Sequence, residues 1–373
     1  MRTSMKVKVL LFFLIMFLPS SIRAEERLLY ALRYESLERY PDIVNTKIYS
    51  LNPATKEERL VFSDENTAIL LRYKGGMPGY PGEVLAASRK RLFAYAVDKT
   101  LKPGRWYSGK ASIYELSIDG SNNFRKVLDV MGEQSLTRIF VTASGNKIGY
   151  INPLGSKRFI WIHHTGSGNL ANKIEVEPIF LDCFATNIDW MQDEERLFVS
   201  LDTGDEHVTS KESYQRVGTY IIREDGTHLM KLPAISFPPR KGFGPHPATP
   251  VFVGETPSGR YLLKGYRFKK GYQGTEASSF LYLLDPIARF KEEIPLKRSE
   301  GLNWFHLSHH GTYLVFIERT YQHDVSDLWI KALDSGREER VFSLPNHQSK
   351  EYYLGVVGWM NVMEGRSGAK DRP

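Results

Sequence analysis

The sequence predicts an all-β chain folded as a six-bladed β-propeller of four-stranded antiparallel blades. Three observations carry that expectation. A strand-pair repeat runs the length of the chain. No stretch of about 12 residues or more shows the apolar spacing of an amphipathic helix. The two ends of the repeat each supply the strand that the other lacks.

The repeat has two halves. In the second half an aromatic-rich strand runs into an Asp, Gly or Pro turn. It occurs at Ile48-Tyr49-Ser50-Leu51, Ile113-Tyr114-Glu115-Leu116, Phe159-Ile160-Trp161-Ile162, Thr219-Tyr220-Ile221-Ile222, Phe280-Leu281-Tyr282-Leu283 and Leu328-Trp329-Ile330-Lys331. The turns that follow include Asp119-Gly120, Thr165-Gly166, Asp225-Gly226, Asp285-Pro286 and Asp334-Ser335-Gly336. Glycine supplies the left-handed backbone of a tight hairpin, and aspartate bonds back to the chain two residues on. The alternation fits a half-buried strand. In the first half a strand, a polar turn and an apolar strand follow one another. Examples are Arg138-Ile139-Phe140-Val141 before Thr142-Ala143-Ser144-Gly145, and Asn187-Ile188-Asp189-Trp190-Met191 before Gln192-Asp193-Glu194-Glu195. Val251-Phe252-Val253 leads to Thr256-Pro257-Ser258-Gly259, and Trp304-Phe305-His306-Leu307 leads to Ser308-His309-His310-Gly311.

Six second halves predict six blades. The chain opens on Arg27-Leu28-Leu29-Tyr30-Ala31-Leu32, a second strand with no first, and closes on Tyr353-Leu354-Gly355-Val356-Val357-Gly358-Trp359, a first strand with no second. Pairing them completes a blade and removes the exposed edges that invite aggregation. In blade 2 the first strand is expected near Ala68 to Arg72, interrupted by turn residues between Gly75 and Gly82.

Asp327-Leu328-Trp329-Ile330-Lys331-Ala332-Leu333-Asp334-Ser335-Gly336, Ser308-His309-His310-Gly311 and Thr256-Pro257-Ser258-Gly259 stand where the TolB-like propeller family has Ile-Tyr-Val-x-Asp-x-x-x-Gly and Trp-Ser-Pro-Asp-Gly. The chain therefore resembles that family, whose blades are WD-repeat-like, over residues 25–362. The resemblance implies the fold and leaves the function open. TolB itself carries an α/β domain ahead of its propeller. Here the first strand follows directly on the leader, so that domain is expected to be absent.

Residues 1–24 read as a cleaved secretory signal. Arg2, Lys6 and Lys8 precede the apolar run Val9 to Leu18, and Ile22-Arg23-Ala24 forms the cleavage site. The run is too short to span a bilayer, which takes about 20 residues. Residues 363–373 are expected to be a disordered tail. Without the signal the chain holds 46 basic and 43 acidic side chains, a net charge of +3. With no long Lys/Arg block, nucleic acid is not expected as a partner. The one cysteine, Cys183, precludes an internal disulfide. Its apolar setting reads as a buried small hydrophobe rather than a reactive thiol.

Candidate function sits on the loops between second and third strands: Tyr34 to Lys47, Asp98 to Ser112, Asp202 to Gly218, Tyr266 to Ser279 and Glu318 to Asp327. These pair aromatics with charges, the residue types of interaction hot spots. The expected ligand-binding residues are Arg105, Trp106, Tyr107, His207, Tyr214, Tyr272, Arg319, Tyr321 and His323. No catalytic residue, cofactor or metal is assigned. Gly-x-Ser-x-Gly and His-Glu-x-x-His are both missing. His306, His309 and His310 are the one tempting metal cluster, but a strand and turn rarely supply convergent geometry. Asp202, Asp205, Glu206 and His207 lack the spacing of a calcium loop. The expectation is an exported, non-enzymatic binding or scaffold protein of the periplasm or medium, a monomer with no membrane span after cleavage. Its partner would be a protein, peptide or glycan of the cell envelope. The alternative is a propeller hydrolase or lyase acting on an envelope or extracellular carbohydrate.

Overall fold

A computed structural model describes residues 25–36, 44–71, 84–98, 111–131, 138–154, 157–175, 184–202, 218–228, 230–232, 251–270, 275–287, 291–297, 302–320, 325–345 and 350–362. Blade 1 joins the two ends of the ring, in the order Lys350–Val362, Glu25–Ser36, Val44–Leu51 and Glu58–Ser63. Blade 3 comprises Ile139–Val141, Lys147–Leu154, Lys157–His164 and Leu170–Glu175, and blade 4 Phe184–Trp190, Arg196–Asp202, Gly218–Arg223 and Met230–Lys231. Blade 5 comprises Val251–Glu255, Tyr261–Lys270, Thr275–Leu284 and Lys291–Ile294, and blade 6 Leu302–Leu307, Tyr313–Thr320, Val325–Ala332 and Glu338–Pro345. All neighbouring strands run antiparallel.

Blade 2 departs from four strands in the way its turn residues foreshadow. Its inner position is split between Ile69–Leu71 and Leu85–Ala87, and both pair with Leu92–Asp98. Leu71 lies opposite Ala96 and Leu85 opposite Ala94, so the two segments occupy successive stretches of one inner-strand position. Ser112–Leu116 and Phe124–Asp129 complete the blade.

The core lies between blades. Consecutive residues are buried along the second strands, as in Leu92 to Ala96 and Leu314 to Ile317, so these sheets bury both faces against their neighbours. Phe140 and Ile160 of blade 3 pack with Trp190 and Val199 of blade 4. Phe198 of blade 4 stacks on Phe252 of blade 5. Leu281 of blade 5 meets Leu314 and Phe316 of blade 6. Blade 6 closes onto blade 1 through Val315, Leu328 and Ile330 against Tyr30, Val356 and Trp359.

Close packing fixes one glycine sharply. Gly149 lies opposite Phe140 in register, and a Cβ there would stand 2.4 Å from the Phe140 ring. Gly149→Ala must push that ring out of the seam between blades 3 and 4. A loss of about 1–3 kcal/mol is expected, as for overpacked cores, read as a lower urea midpoint. An unchanged midpoint would show that the ring does not cover the glycine.

The hairpins between first and second strands hook each blade to the next. Asn361 donates its N–H to the Arg89 carbonyl, and Arg89 donates to the Ala143 carbonyl. Ser144 donates to Glu194 through both its N–H and its hydroxyl. The Gln192 N–H donates to Glu255 at 3.0 Å. The His309 N–H donates to Glu26, which burial pushes above the usual carboxylate range. Between blades 5 and 6, Gly311 at φ 68° lies against Pro257, where a Cβ would come within 2.7 Å.

Candidate functional site

The binding residues expected from the sequence belong to the connections between second and third strands, on the face opposite these hairpins. Arg105, Trp106, Tyr107, His207, Tyr214, Tyr272, Tyr321 and His323 lie outside the described residues, as does Cys183. The backbone of Arg319 lies in the second strand of blade 6, opposite Ser326. Three of the expected loops contain strand at both ends. Tyr34 to Lys47 contains strand to Ser36 and again from Val44, and Glu318 to Asp327 contains strand to Thr320 and again from Val325. Tyr266 to Ser279 is mostly a two-stranded ribbon, paired from Gly265 opposite Phe280 up to Lys270 opposite Thr275. Pairing across a hairpin extended these strands beyond what the polar composition suggested.

The ribbon outruns its own blade. The inner strand reaches only to the pair of Val251 with Lys264, and the outer strand only to the pair of Ile294 with Leu281. After Ile294 the chain turns to blade 6, where the Lys297 N–H donates to the Glu338 carboxylate. Among the described residues no strand covers either edge of the six pairs above that level.

The other concave feature is the central channel. Residues from all six inner strands line a cavity of about 140 Å³. Ala143, Gln192, Glu255 and His309 wall its hairpin end, and Arg138, Asp189 and His306 stand inside. Irregularities in the inner strands help shape it. Register shifts fall at Ala185/Asn187, Phe252/Gly254 and Asn303/His306, and the strand opposite Leu29 and Tyr30 skips Val357. Such bulges bend a strand and re-aim its side chains. Trp304, in the blade 6 bulge, takes φ 55°, a strained value for a bulky residue.

The three polar residues form one electrostatic unit. The Arg138 guanidinium stands 3.7 Å from Asp189, within Coulombic reach but beyond a hydrogen bond. The Asp189 side chain is 35% exposed, and Asp189 lines the channel. Burial raises its carboxyl above the usual range, against the pull of Arg138 and of the Trp190 N–H. His306, on the opposite side of the ring, is pushed down to about 3 by burial and then by the charge of Arg138. It is neutral at physiological pH, and its ring makes no hydrogen bond among the described residues.

The other histidines serve structure. The His309 ring bonds to the Trp359 carbonyl, and burial holds it down to about 4. His163 bonds to the Gly168 carbonyl and the Tyr150 hydroxyl, and burial favours its neutral ring. Among the described residues no three His, Cys, Asp or Glu side chains gather as metal ligands.

No protein-family model and no curated protein matches the chain. Known structures do resemble it. TolB from Acinetobacter baumannii aligns with a TM-score of 0.51 at 12% identity, covering 89% of this chain and 67% of that one. A putative TolB from Agrobacterium tumefaciens gives 0.48 at 12% identity, covering 88% and 98%. The periplasmic gluconolactonase of Pseudomonas aeruginosa gives 0.44 at 13% identity, covering 88% and 99%. What is shared is the propeller fold. At such identities the likeness to TolB extends to architecture and not to activity. Among the described residues no helix is long and apolar enough to cross a membrane.

Proposed function

We propose that the chain is an exported, non-enzymatic binding propeller that engages a protein, peptide or glycan of the cell envelope on the face where its long hairpins rise. The observation that supports this reading is the blade 5 ribbon, six register pairs tall beyond both of its neighbours. A rigid ring that raises a paired ribbon above its rim presents backbone donors and acceptors at an edge, a common route to strand-addition binding. Tyr272, with Arg105, Trp106, Tyr107, His207, Tyr214, Arg319, Tyr321 and His323, would supply side-chain anchors.

The test replaces residues 267–278 with an Asn-Gly turn, which keeps Tyr266 opposite Ser279 and the blade below intact. The shortened protein should keep its urea midpoint and lose the envelope component that the full protein captures. Capture of the same component by both would exclude the ribbon as the contact.

A carbohydrate hydrolase or lyase is the second reading. It is favoured by Asp189, with its raised carboxyl, sharing a cavity with a neutral imidazole, the kind of perturbed pair found at catalytic sites. Release of reducing ends from envelope polysaccharide by the native protein, and not by Asp189→Asn, would support it.

A further inference from the structure

The channel set goes unused by the partner-binding reading and stands independently of it. We propose that the cavity binds a small zwitterionic α-amino acid, with Arg138 on its carboxylate, Asp189 on its ammonium group and His306 completing the carboxylate's hydrogen bonds from across the channel.

Charge balance selects the ligand. Among the described residues the interior of the cavity holds one cation and one anion, side by side with 3.7 Å between Arg138 and Asp189. A monocarboxylate entering there would meet the like charge of Asp189, and a simple amine would meet Arg138, each within the channel, where repulsion is less screened than in bulk water. A zwitterion presents an opposite charge to each partner, so a neutral cavity stays neutral. Glu255, the other acid in the lining, is already engaged by the Gln192 N–H and lies near Arg196 at the hairpin end.

Size limits the ligand further. A cavity of about 150 Å³ takes benzene, a molecule of six heavy atoms. The channel cavity, at about 140 Å³, matches alanine, which also has six heavy atoms. The neutral imidazole of His306 offers one donor and one acceptor, and the blade 6 bulge holds it facing the pair.

Equilibrium dialysis of the purified chain against L-alanine, propionate and ethylamine tests this without any variant. L-Alanine should bind saturably at one site, with propionate and ethylamine at least tenfold weaker. Arg138→Gln should weaken alanine at least tenfold. Asp189→Asn should remove the preference, so that propionate binds as well as alanine. Propionate binding as tightly as alanine to the native protein would overturn the proposal. So would no saturable alanine binding at millimolar concentration by protein that is folded by circular dichroism. The protein with the shortened ribbon should bind alanine normally, which separates failure here from failure of the partner reading.

Discussion

Lowering the pH from 7.5 to 4.5 is expected to destabilise the protein by roughly 5 kcal/mol through two histidines alone. His306 and His309 titrate near 6.5 in the unfolded chain and at about 3 and about 4 in the fold. Above pH 6.5 neither state binds the proton, and the contribution of each is fully present. Below it the unfolded chain takes up protons that the fold refuses, so each histidine costs about 1.4 kcal/mol per pH unit until its folded value is reached. His163, also held down by burial, adds in the same direction. Glu26 and Asp189 act oppositely, because raised carboxyls protonate in the fold first and relieve buried charge as pH falls. Against a total stability of about 5–15 kcal/mol the histidines dominate. The urea midpoint should therefore collapse between pH 6.5 and 4.5. His306→Gln, which gives up no hydrogen bond among the described residues, should recover about half of the loss. A native-like pH slope in that variant would show that the imidazole is already charged in the fold.

Ending the chain after residue 349 should abolish cooperative folding. Lys350–Val362 pairs with Glu25–Ser36 along its whole length and supplies the buried Leu354, Val356, Val357, Trp359 and Met360. At about 1.5–3 kcal/mol for each large apolar side chain, their loss exceeds the stability of an ordinary domain. It would also bare a twelve-residue strand edge. The truncated protein should aggregate, and a synthetic peptide of residues 350–362 added during refolding should restore solubility. A milder variant, Trp359→Ala, should cost about 3–5 kcal/mol. A soluble truncated protein with a sharp unfolding transition would show that the ring holds without its closing strand.

Most of the ring was legible because its signals are local. The Asp-Gly turns at 119–120 and 225–226 place glycines at φ 80° and 83°, which the residue types announce on their own. The pairing of the two chain ends was legible from strand counting. The split of blade 2 was only half visible, since turn residues mark an interruption but do not say where pairing resumes. Nor did composition reveal that Tyr266 to Ser279 is mostly strand, because Lys, Arg, Gly and Ser disfavour strands in isolation and cross-strand pairing decided the outcome. The channel set was missed for a physical reason. Arg138, Asp189 and His306 come from blades 3, 4 and 6 and meet only when the ring closes. One signal was available. Two residues before each hairpin stand Ala86, Phe140, Asp189, Gly254 and His306, so an acid and an imidazole occupy a position that is otherwise apolar or small.

The hooks between successive hairpins have a mechanical consequence. Asn361 on Arg89, Arg89 on Ala143, Ser144 on Glu194, Gln192 on Glu255 and His309 on Glu26 fasten five junctions of the ring by hydrogen bonds, and at the sixth Gly311 packs close to Pro257. A hoop fastened at every link cannot widen at one point without straining the rest. The bore of the channel is thus set by the circumference of the whole ring. Whatever enters it meets a lining already held in place, and little ordering entropy remains to be lost on binding.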